Sequence, residues 1–190
     1  MKTLSFRSSA AAVCATTALL LTPVLPNVAF AQASDAAASA TPAALSAVDQ
    51  KFIDVATQSD ATEIATAKLA MAQSQDKDVK AFARHMRMDH MKLSMALKAA
   101  APHDVMLPKD NVDPAVMDAL KGLKGKEFDE VYIKQVGVAG HKKAVMAFQD
   151  EVSNGTNMAL KNGARKGLPT IEGHLRMAQA LAKKKGVTAE

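Results

Sequence analysis

The chain has almost no cysteine and very few aromatic side chains. Its 190 residues include one cysteine, one tyrosine and no tryptophan. The single cysteine, Cys14, lies in an apolar N-terminal segment that we predict to be removed, so the mature protein has no thiol for a disulfide, a thiolate metal site or nucleophilic catalysis. The scarcity of aromatic residues argues against a surface on which nucleic-acid bases stack.

Motifs of hydrolysis and phosphate binding are missing as well. The sequence contains no Gly-x-Ser-x-Gly nucleophile turn and no glycine-rich phosphate loop. We therefore favour a protein without enzymatic turnover, and the enzyme that stays open is a metal-dependent one.

The N-terminus carries the pattern of a secretory signal. Lys2 and Arg7 precede an apolar stretch over about residues 10–25, and the sequence Ala-Phe-Ala at 29–31 is a small-x-small cleavage site. No later segment is uniformly apolar over about 18 residues, the length that a membrane helix needs. We predict a signal peptide over residues 1–31 and a periplasmic or secreted protein that has no stable membrane insertion after cleavage.

The mature chain is only mildly basic. Loss of Lys2 and Arg7 lowers the formal net charge from +5 to +3. Its lysine and arginine clusters are typical of solvated helix faces, so we predict no nucleic-acid partner and leave a homo-oligomer open. Residues 32–45 are rich in alanine, serine and threonine and are predicted to be a flexible leader. Residues 46–186 are long enough to form one domain with its own core.

Apolar residues then recur at steps of three and four, which is typical of amphipathic helices. Asp113 followed by Pro114 predicts a short helix in the connection between the second and third long helices. Asn154-Gly155 is typical of a left-handed helix end. The long helices are predicted over Ser46–Ser74, Asp76–Ala100, Lys126–Ser153 and 156–185, the last with a kink or break at Gly167-Leu168-Pro169. Two helical hairpins of this kind predict an all-α, antiparallel four-helix bundle.

Four polar residues interrupt the apolar stripes of these helices. His90, His141 and His174 each follow the spacing of inward-facing residues, and Glu63 does so on the first helix. Counted from the two hairpin turns at a rise of about 1.5 Å per residue, they lie within roughly 6 Å of one level. We therefore expect one polar side chain from each helix to meet at mid-bundle.

Such a constellation has two interpretations. Imidazole and carboxylate groups that project inward from four helices are how metal centres in bundles are built, and this set suits one transition metal ion: iron, zinc, copper or manganese. Asp89 and Glu172 are candidates for further ligands or for acceptors of the ring N–H groups. The alternative is a buried hydrogen-bond network that fixes the register of the helices without any metal.

A methionine-rich segment gives a weaker metal signal. His85, Met86, Met88, His90, Met91 and Met95 lie close together, and thioether and imidazole ligands suit Cu(I). Methionine is also a flexible core filler, and these residues point in several directions around one helix. His85 and His103 have no convergent partner in the pattern and are interpreted as surface residues.

The spaced elements of the chain resemble a known family. The elements are Glu63, Phe82-Ala83, Asp89-His90, Gly125, Phe128-Asp129, Tyr132, His141, Leu168-Pro169 and His174-Leu175. Over about Phe52 to Leu181 they resemble the domain-of-unknown-function 4142 family of exported, ferritin-like helical bundle proteins. The resemblance implies the bundle fold and brings no established activity.

The sequence departs from the ferritin pattern at the expected iron ligands. Ferritin-type di-iron sites use Glu-x-x-His, but Arg87 stands three residues before His90 and Ile171 three residues before His174. The sequence therefore favours a metal-handling or stress-protective bundle. The alternatives are a metal-dependent redox enzyme that uses the central site and a structural or partner-binding module without metal.

Overall fold

Helices make up most of residues 45–189, the part of the chain that the computed structural model describes. No strand occurs within this range, so the predicted all-α class is confirmed. The predicted signal peptide and nearly all of the predicted leader lie outside the described residues. The elements are α1 (Ala47–Gln73), α2 (Lys77–Ala100), α3 (Pro114–Leu120), α4 (Gly125–Val131), a π-helical segment (Tyr132–Gly140), α5 (His141–Asn154) and α6 (Met158–Lys185).

Helices α1, α2, α3 and α6 begin at capping residues that the sequence provides. Ser46 accepts a hydrogen bond from the backbone N–H of Asp49, whose side chain binds back to the Ser46 backbone N–H, which forms a capping box. Asp76 caps α2 and Asp113 caps α3 by accepting backbone N–H groups of the first turn. Asn157 does the same for α6. These four helix starts are therefore stabilised locally, whereas α4 begins after Lys124 without a side-chain cap.

The four long helical regions contact one another in a closed order. Helix α1 packs against α2, α2 against α6, α6 against α5 and the π-helical segment, and α5 against α1. The short helix α3 lies in the connection after α2, where the sequence predicts it. Since every long region has two long neighbours, each can bury one face in a shared interior.

That interior consists of two apolar clusters with a polar layer between them along every long helix. On α1 the cluster residues Ala56 and Ala67 bracket the buried polar segment. His90, His141 and His174 lie between members of the two clusters on α2, α5 and α6 respectively. The polar residues therefore share one level, with apolar packing on both sides.

Two details of the helices differ from the sequence predictions. Helix α6 continues through Pro169 without a break, and Gly167 serves packing, because an added Cβ would lie 2.8 Å from Cε1 of Phe148. Gly155 ends α5 with φ −58° and ψ 147°, so the predicted left-handed conformation is wrong. Its missing side chain instead leaves room for the carboxyl group of Glu151.

A buried carboxylate joins the start of α1 to the turn between α5 and α6. Asp49 is fully buried and accepts hydrogen bonds from the backbone N–H of Thr156 at 2.9 Å and of Asn157 at 3.1 Å. The Thr156 hydroxyl donates to the same carboxylate at 2.6 Å. Burial opposes the charge of Asp49, but these donors together with Ser46 hold its pKa well below the ordinary value. The charge is therefore part of the native structure.

Candidate metal centre

Three histidines meet in the polar layer. His90 comes from α2, His141 is the first residue of α5 and His174 comes from α6. Their side chains are at most 2% exposed. Each offers one ring nitrogen, and the three nitrogens lie within 4.8 Å of one another. The Nε2 atoms of His90 and His141 are separated by 3.4 Å.

One nitrogen of each ring contacts an oxygen. Nδ1 of His90 lies 2.8 Å from Oδ1 of Asp60. Nδ1 of His141 lies 2.8 Å from the backbone carbonyl oxygen of Gly137. Nε2 of His174 lies 3.1 Å from Oδ2 of Asp89, while its Nδ1 is buried and has no hydrogen-bond partner among the described residues. Oxygen acceptors behind the rings are the arrangement that orients histidines for metal binding.

A π-helical segment, Tyr132–Gly140, supplies the carbonyl behind His141. π-Helical turns are rare in proteins as a whole, but those that occur are often found at functional sites. Their wider backbone leaves carbonyl groups free to contact side chains. Here the carbonyls of Val136 and Gly137 lie 3.3 Å and 2.8 Å from Nδ1 of His141. A carbonyl can only accept, so His141 carries its proton on Nδ1 and its Nε2 lone pair faces the other two rings.

Burial keeps the three histidines neutral. It lowers the pKa of His90 to about 4 and that of His174 to about 4. Burial, together with the neighbouring His90 and His174, lowers the pKa of His141 to about 3. Neutral imidazole is the form that binds a metal ion, so the cluster requires no proton loss from these rings at neutral pH.

The Asp60 carboxyl group makes two hydrogen-bond patterns possible. Burial raises the pKa of Asp60 to about 8. A protonated Asp60 donates to Nδ1 of His90, whose Nε2–H then donates to Nε2 of His141, so these three side chains form one hydrogen-bond chain. An ionised Asp60 instead accepts from Nδ1 of His90, and lone pairs of His90 and His141 then face each other, an arrangement that a bound cation stabilises.

The spacing of the Nε2 atoms of His90 and His141 fits two ligands of one tetrahedral ion. Two nitrogens that bind one zinc ion at about 2.05 Å lie about 3.3 Å apart in tetrahedral geometry. The separation of 3.4 Å between the Nε2 atoms of His90 and His141 matches this value. Three imidazoles with one further coordination position are also the donor set of catalytic zinc sites.

The structure places the residues that the sequence predicted for the site in three different positions. His90, His141 and His174 come together. Glu63 is buried at the same level, but its Oε1 lies 3.4 Å from the outer nitrogen Nδ1 of His141, so it lies behind a ring. Burial and the nearby Asp60 raise the pKa of Glu63 well above its ordinary value.

The two acidic residues predicted to support the site behave differently. Asp89 contacts His174, as described above, but Glu172 is outside the cluster and faces the Gln149 side chain at 3.5 Å. Asp60 was missed by sequence reasoning. The signal that could have found it is its position on the same helix face as Glu63, three residues earlier.

The methionine-rich segment does not converge on the buried histidines. Met86 is fully buried in the apolar core, whereas Met88, Met91 and Met95 are exposed. His85 differs from the sequence interpretation. It is half exposed, but its Nε2 lies 3.3 Å from Oδ2 of Asp89, so it has a partner that leads to His174.

A largely apolar cavity of about 690 Å³ borders the polar layer. Its walls include Phe52, Leu97, Phe148 and Leu160, and Asp60 and Asp89 also line it. The same two carboxyl groups contact His90 and His174, so the cavity reaches the residues behind the cluster. It has the size of a small-molecule site.

A solved structure has a similar fold. A crystal structure of a predicted secreted protein, DUF305, from Streptomyces coelicolor is similar with a TM-score of 0.58 and 18% sequence identity. The similarity covers 75% of this chain and 95% of that chain. At this identity the likeness shows the helical fold alone. A comparison with curated proteins finds no match.

The family follows from the sequence itself. The family model described as a domain of unknown function, DUF4142, matches residues 34–181. Because this match covers most of the chain, the protein belongs to the DUF4142 family, and the resemblance found in the sequence is confirmed. Among the residues that the structure describes, no helix is long and apolar enough to cross a membrane.

Proposed function

We propose that this protein is an exported metal-binding protein that holds one borderline transition metal ion, such as zinc or copper, on His90, His141 and His174. The observation that carries the proposal is the convergence of three buried ring nitrogens within 4.8 Å. A hydrogen-bond network accounts for the contact between His90 and His141, but it leaves the buried Nδ1 of His174 without a partner among the described residues.

The ligands favour a borderline metal ion over a carboxylate-rich iron centre. All three donors are imidazole nitrogens, which suit zinc and copper, whereas hard cations such as magnesium prefer oxygen. Asp89 contacts His174 and adds negative charge that offsets the charge of the ion, and Asp60 does the same at His90 in its ionised form. The proposed role is therefore metal handling, and iron oxidation of the ferritin type is disfavoured.

The architecture and the location belong to the same proposal. The closed order of contacts among the four long helical regions supports a ferritin-like four-helix bundle with the metal at its centre. The secretory signal pattern over residues 1–31 supports a periplasmic or secreted protein. Cell fractionation and N-terminal sequencing test the location, and a mature N-terminus at Gln32 is expected.

Elemental analysis of the untagged protein, purified without chelator, tests the metal. We expect close to one zinc or copper ion per chain in the wild type and a large loss in His141→Ala. The control is His103→Ala, which removes an exposed histidine outside the cluster and should keep the metal. A metal-free wild type that also fails to bind added Zn²⁺ or Cu²⁺ would favour the hydrogen-bond network.

The cavity favours a second candidate, a metal-dependent redox enzyme. A small apolar molecule in the cavity would lie next to Asp60 and Asp89, within reach of the groups that hold two of the ligands. Its test is peroxide and oxygen turnover by the metal-loaded protein, with Ala96→Leu as a variant that narrows the cavity from its wall. Absence of turnover in the loaded wild type would leave metal handling as the function.

A further inference from the structure

A second group of metal-binding side chains adjoins the buried cluster. It consists of His85, Asp89 and His174, and one ligand atom from each lies within 4.8 Å of the others. Oδ2 of Asp89 lies 3.3 Å from Nε2 of His85 and 3.1 Å from Nε2 of His174. The ring centroids of His85 and His174 are 5.7 Å apart. His174 is thus common to both groups.

The three side chains differ in exposure, from His85 at the surface to His174 in the core. The side chain of His85 is 50% exposed, that of Asp89 is 20% exposed and that of His174 is 2% exposed. The three buried histidines are nearly inaccessible by comparison. An ion that binds them must therefore first lose its water to groups nearer the surface, and His85 and Asp89 are such groups.

We propose that His85, Asp89 and Nε2 of His174 form a transit site, through which a transition metal ion such as zinc enters and leaves the buried cluster. This inference rests on the proposed function of that cluster. Two nitrogens and one carboxylate oxygen suit the same class of metal ion. Lys92, whose Nζ lies 3.1 Å from the other carboxylate oxygen of Asp89, competes with the ion for Asp89. The transit site is therefore weaker than the buried one.

The two nitrogens of His174 make the transfer sequential. Nε2 faces the transit site, and Nδ1 is the buried nitrogen without a partner. A neutral imidazole has one nitrogen with a free lone pair, so His174 binds an ion on one side at a time. One ion per chain is expected at equilibrium, and the transit site should change the rate of exchange without changing the final stoichiometry.

Stopped-flow measurement of Zn²⁺ uptake and of its release to a chromophoric chelator tests the transit site. In His85→Ala both rates should fall by roughly an order of magnitude, which corresponds to about 1.4 kcal/mol in the barrier. The affinity should change little, because a site that is occupied only in passing affects both directions alike. His103→Ala is the matched control and should exchange Zn²⁺ at the wild-type rate.

Zn²⁺ titration of a variant in which the buried cluster is broken tests the transit site directly. His141→Ala should keep a weaker Zn²⁺ site formed by His85, Asp89 and His174, and addition of His85→Ala should remove it. Equal exchange rates in His85→Ala and the wild type, or no weak site in His141→Ala, would overturn the transit site while the buried cluster stands. A wild type that binds no Zn²⁺ at all would overturn both proposals.

Discussion

The Nε2 atoms of His90 and His141 face each other across the helical interior at 3.4 Å, although the two residues are 51 positions apart in the chain. Each ring is held from behind, His90 by the carboxyl group of Asp60 and His141 by the carbonyl of Gly137. The contact therefore depends on the placement of both rings by groups that do not themselves face the cluster.

The first prediction concerns the group behind His90. Asp60→Asn resembles the protonated form of Asp60, so we expect stability near the wild-type value. It cannot supply negative charge to a ligand histidine, and Zn²⁺ affinity should fall by about 10–100-fold. Competition titration with a chelator of known affinity measures the change. Asp54→Asn, on the exposed face of the same helix, is the control and should bind Zn²⁺ like the wild type.

Unchanged Zn²⁺ affinity in Asp60→Asn would mean that the carboxyl group orients His90 only as a neutral partner. A strong loss of stability would mean instead that Asp60 is charged in the metal-free protein. The two readouts together therefore separate a metal-supporting carboxylate from a member of a structural network.

The second prediction concerns the buried link between α1 and the α5–α6 turn. Asp49→Asn places an amide N–H₂ group among backbone and hydroxyl donors from Ser46, Thr156 and Asn157, all of which now donate to the Asp49 carboxylate. We expect a loss of about 2–4 kcal/mol in the free energy of unfolding, because buried donors lose a charged acceptor. Urea denaturation measures it, and Asp54→Asn is again the exposed control. A loss below about 0.5 kcal/mol, the range of ordinary surface changes, would contradict the structural role of Asp49.

Much of the interior could be predicted from the sequence because it depends on helical periodicity. The steps from Met86 to His90 to Leu93 and from Val138 to His141 to Val145 indicate an inward position for each histidine, and the structure buries both. Periodicity does not say which of several polar residues on one face comes nearest. Asp60 was missed for that reason, and Glu63 was assigned as a ligand although it lies behind His141.

Other features depend on contacts between distant segments. Gly155 and Gly167 both suggest breaks when only the local sequence is considered. In the structure Gly155 leaves room for Glu151 and Gly167 for Phe148. The π-helical segment before His141 has no simple sequence signature, and it supplies the carbonyl that fixes the orientation of the ring. These contacts could not be derived without the packing of α5 and α6.

The third prediction is a pH dependence of stability centred on Glu151. Burial, together with the Asp49 carboxylate, raises the pKa of Glu151 to about 7, above the ordinary value of 4.5. The folded protein therefore binds this proton more tightly than the unfolded chain. Its contribution to stability is fully present below pH 4.5 and is lost as the pH rises through 7.

Glu151→Gln removes this titration and keeps a similar shape. We expect the free energy of unfolding of the variant, relative to that of the wild type, to rise by about 1–3 kcal/mol between pH 5 and pH 8. The slope should be no more than about 1.4 kcal/mol per pH unit. Urea unfolding at a series of pH values measures the difference. Glu130→Gln controls for the removal of one negative charge at an exposed position. A difference that does not change with pH would contradict a buried, protonated Glu151.

The last prediction compares two glycines on α6. An added Cβ at Gly167 would lie 2.8 Å from Cε1 of Phe148, a buried ring, so one of them must move. Gly167→Ala should therefore lower the free energy of unfolding by about 1–3 kcal/mol through overpacking. At Gly173 the nearest atom to an added Cβ is the flexible end of Arg176 at 3.8 Å. Gly173→Ala should raise the free energy of unfolding by about 0.5–1 kcal/mol, because alanine favours the helix.

Thermal or urea unfolding of the two variants measures both effects. Because both substitutions add one methyl group to the same helix, helix propensity is matched and the difference isolates the contact with Phe148. A stabilised Gly167→Ala would mean that α5 and α6 can separate there at little cost, and the tight approach of Gly167 to Phe148 would not be needed for the fold.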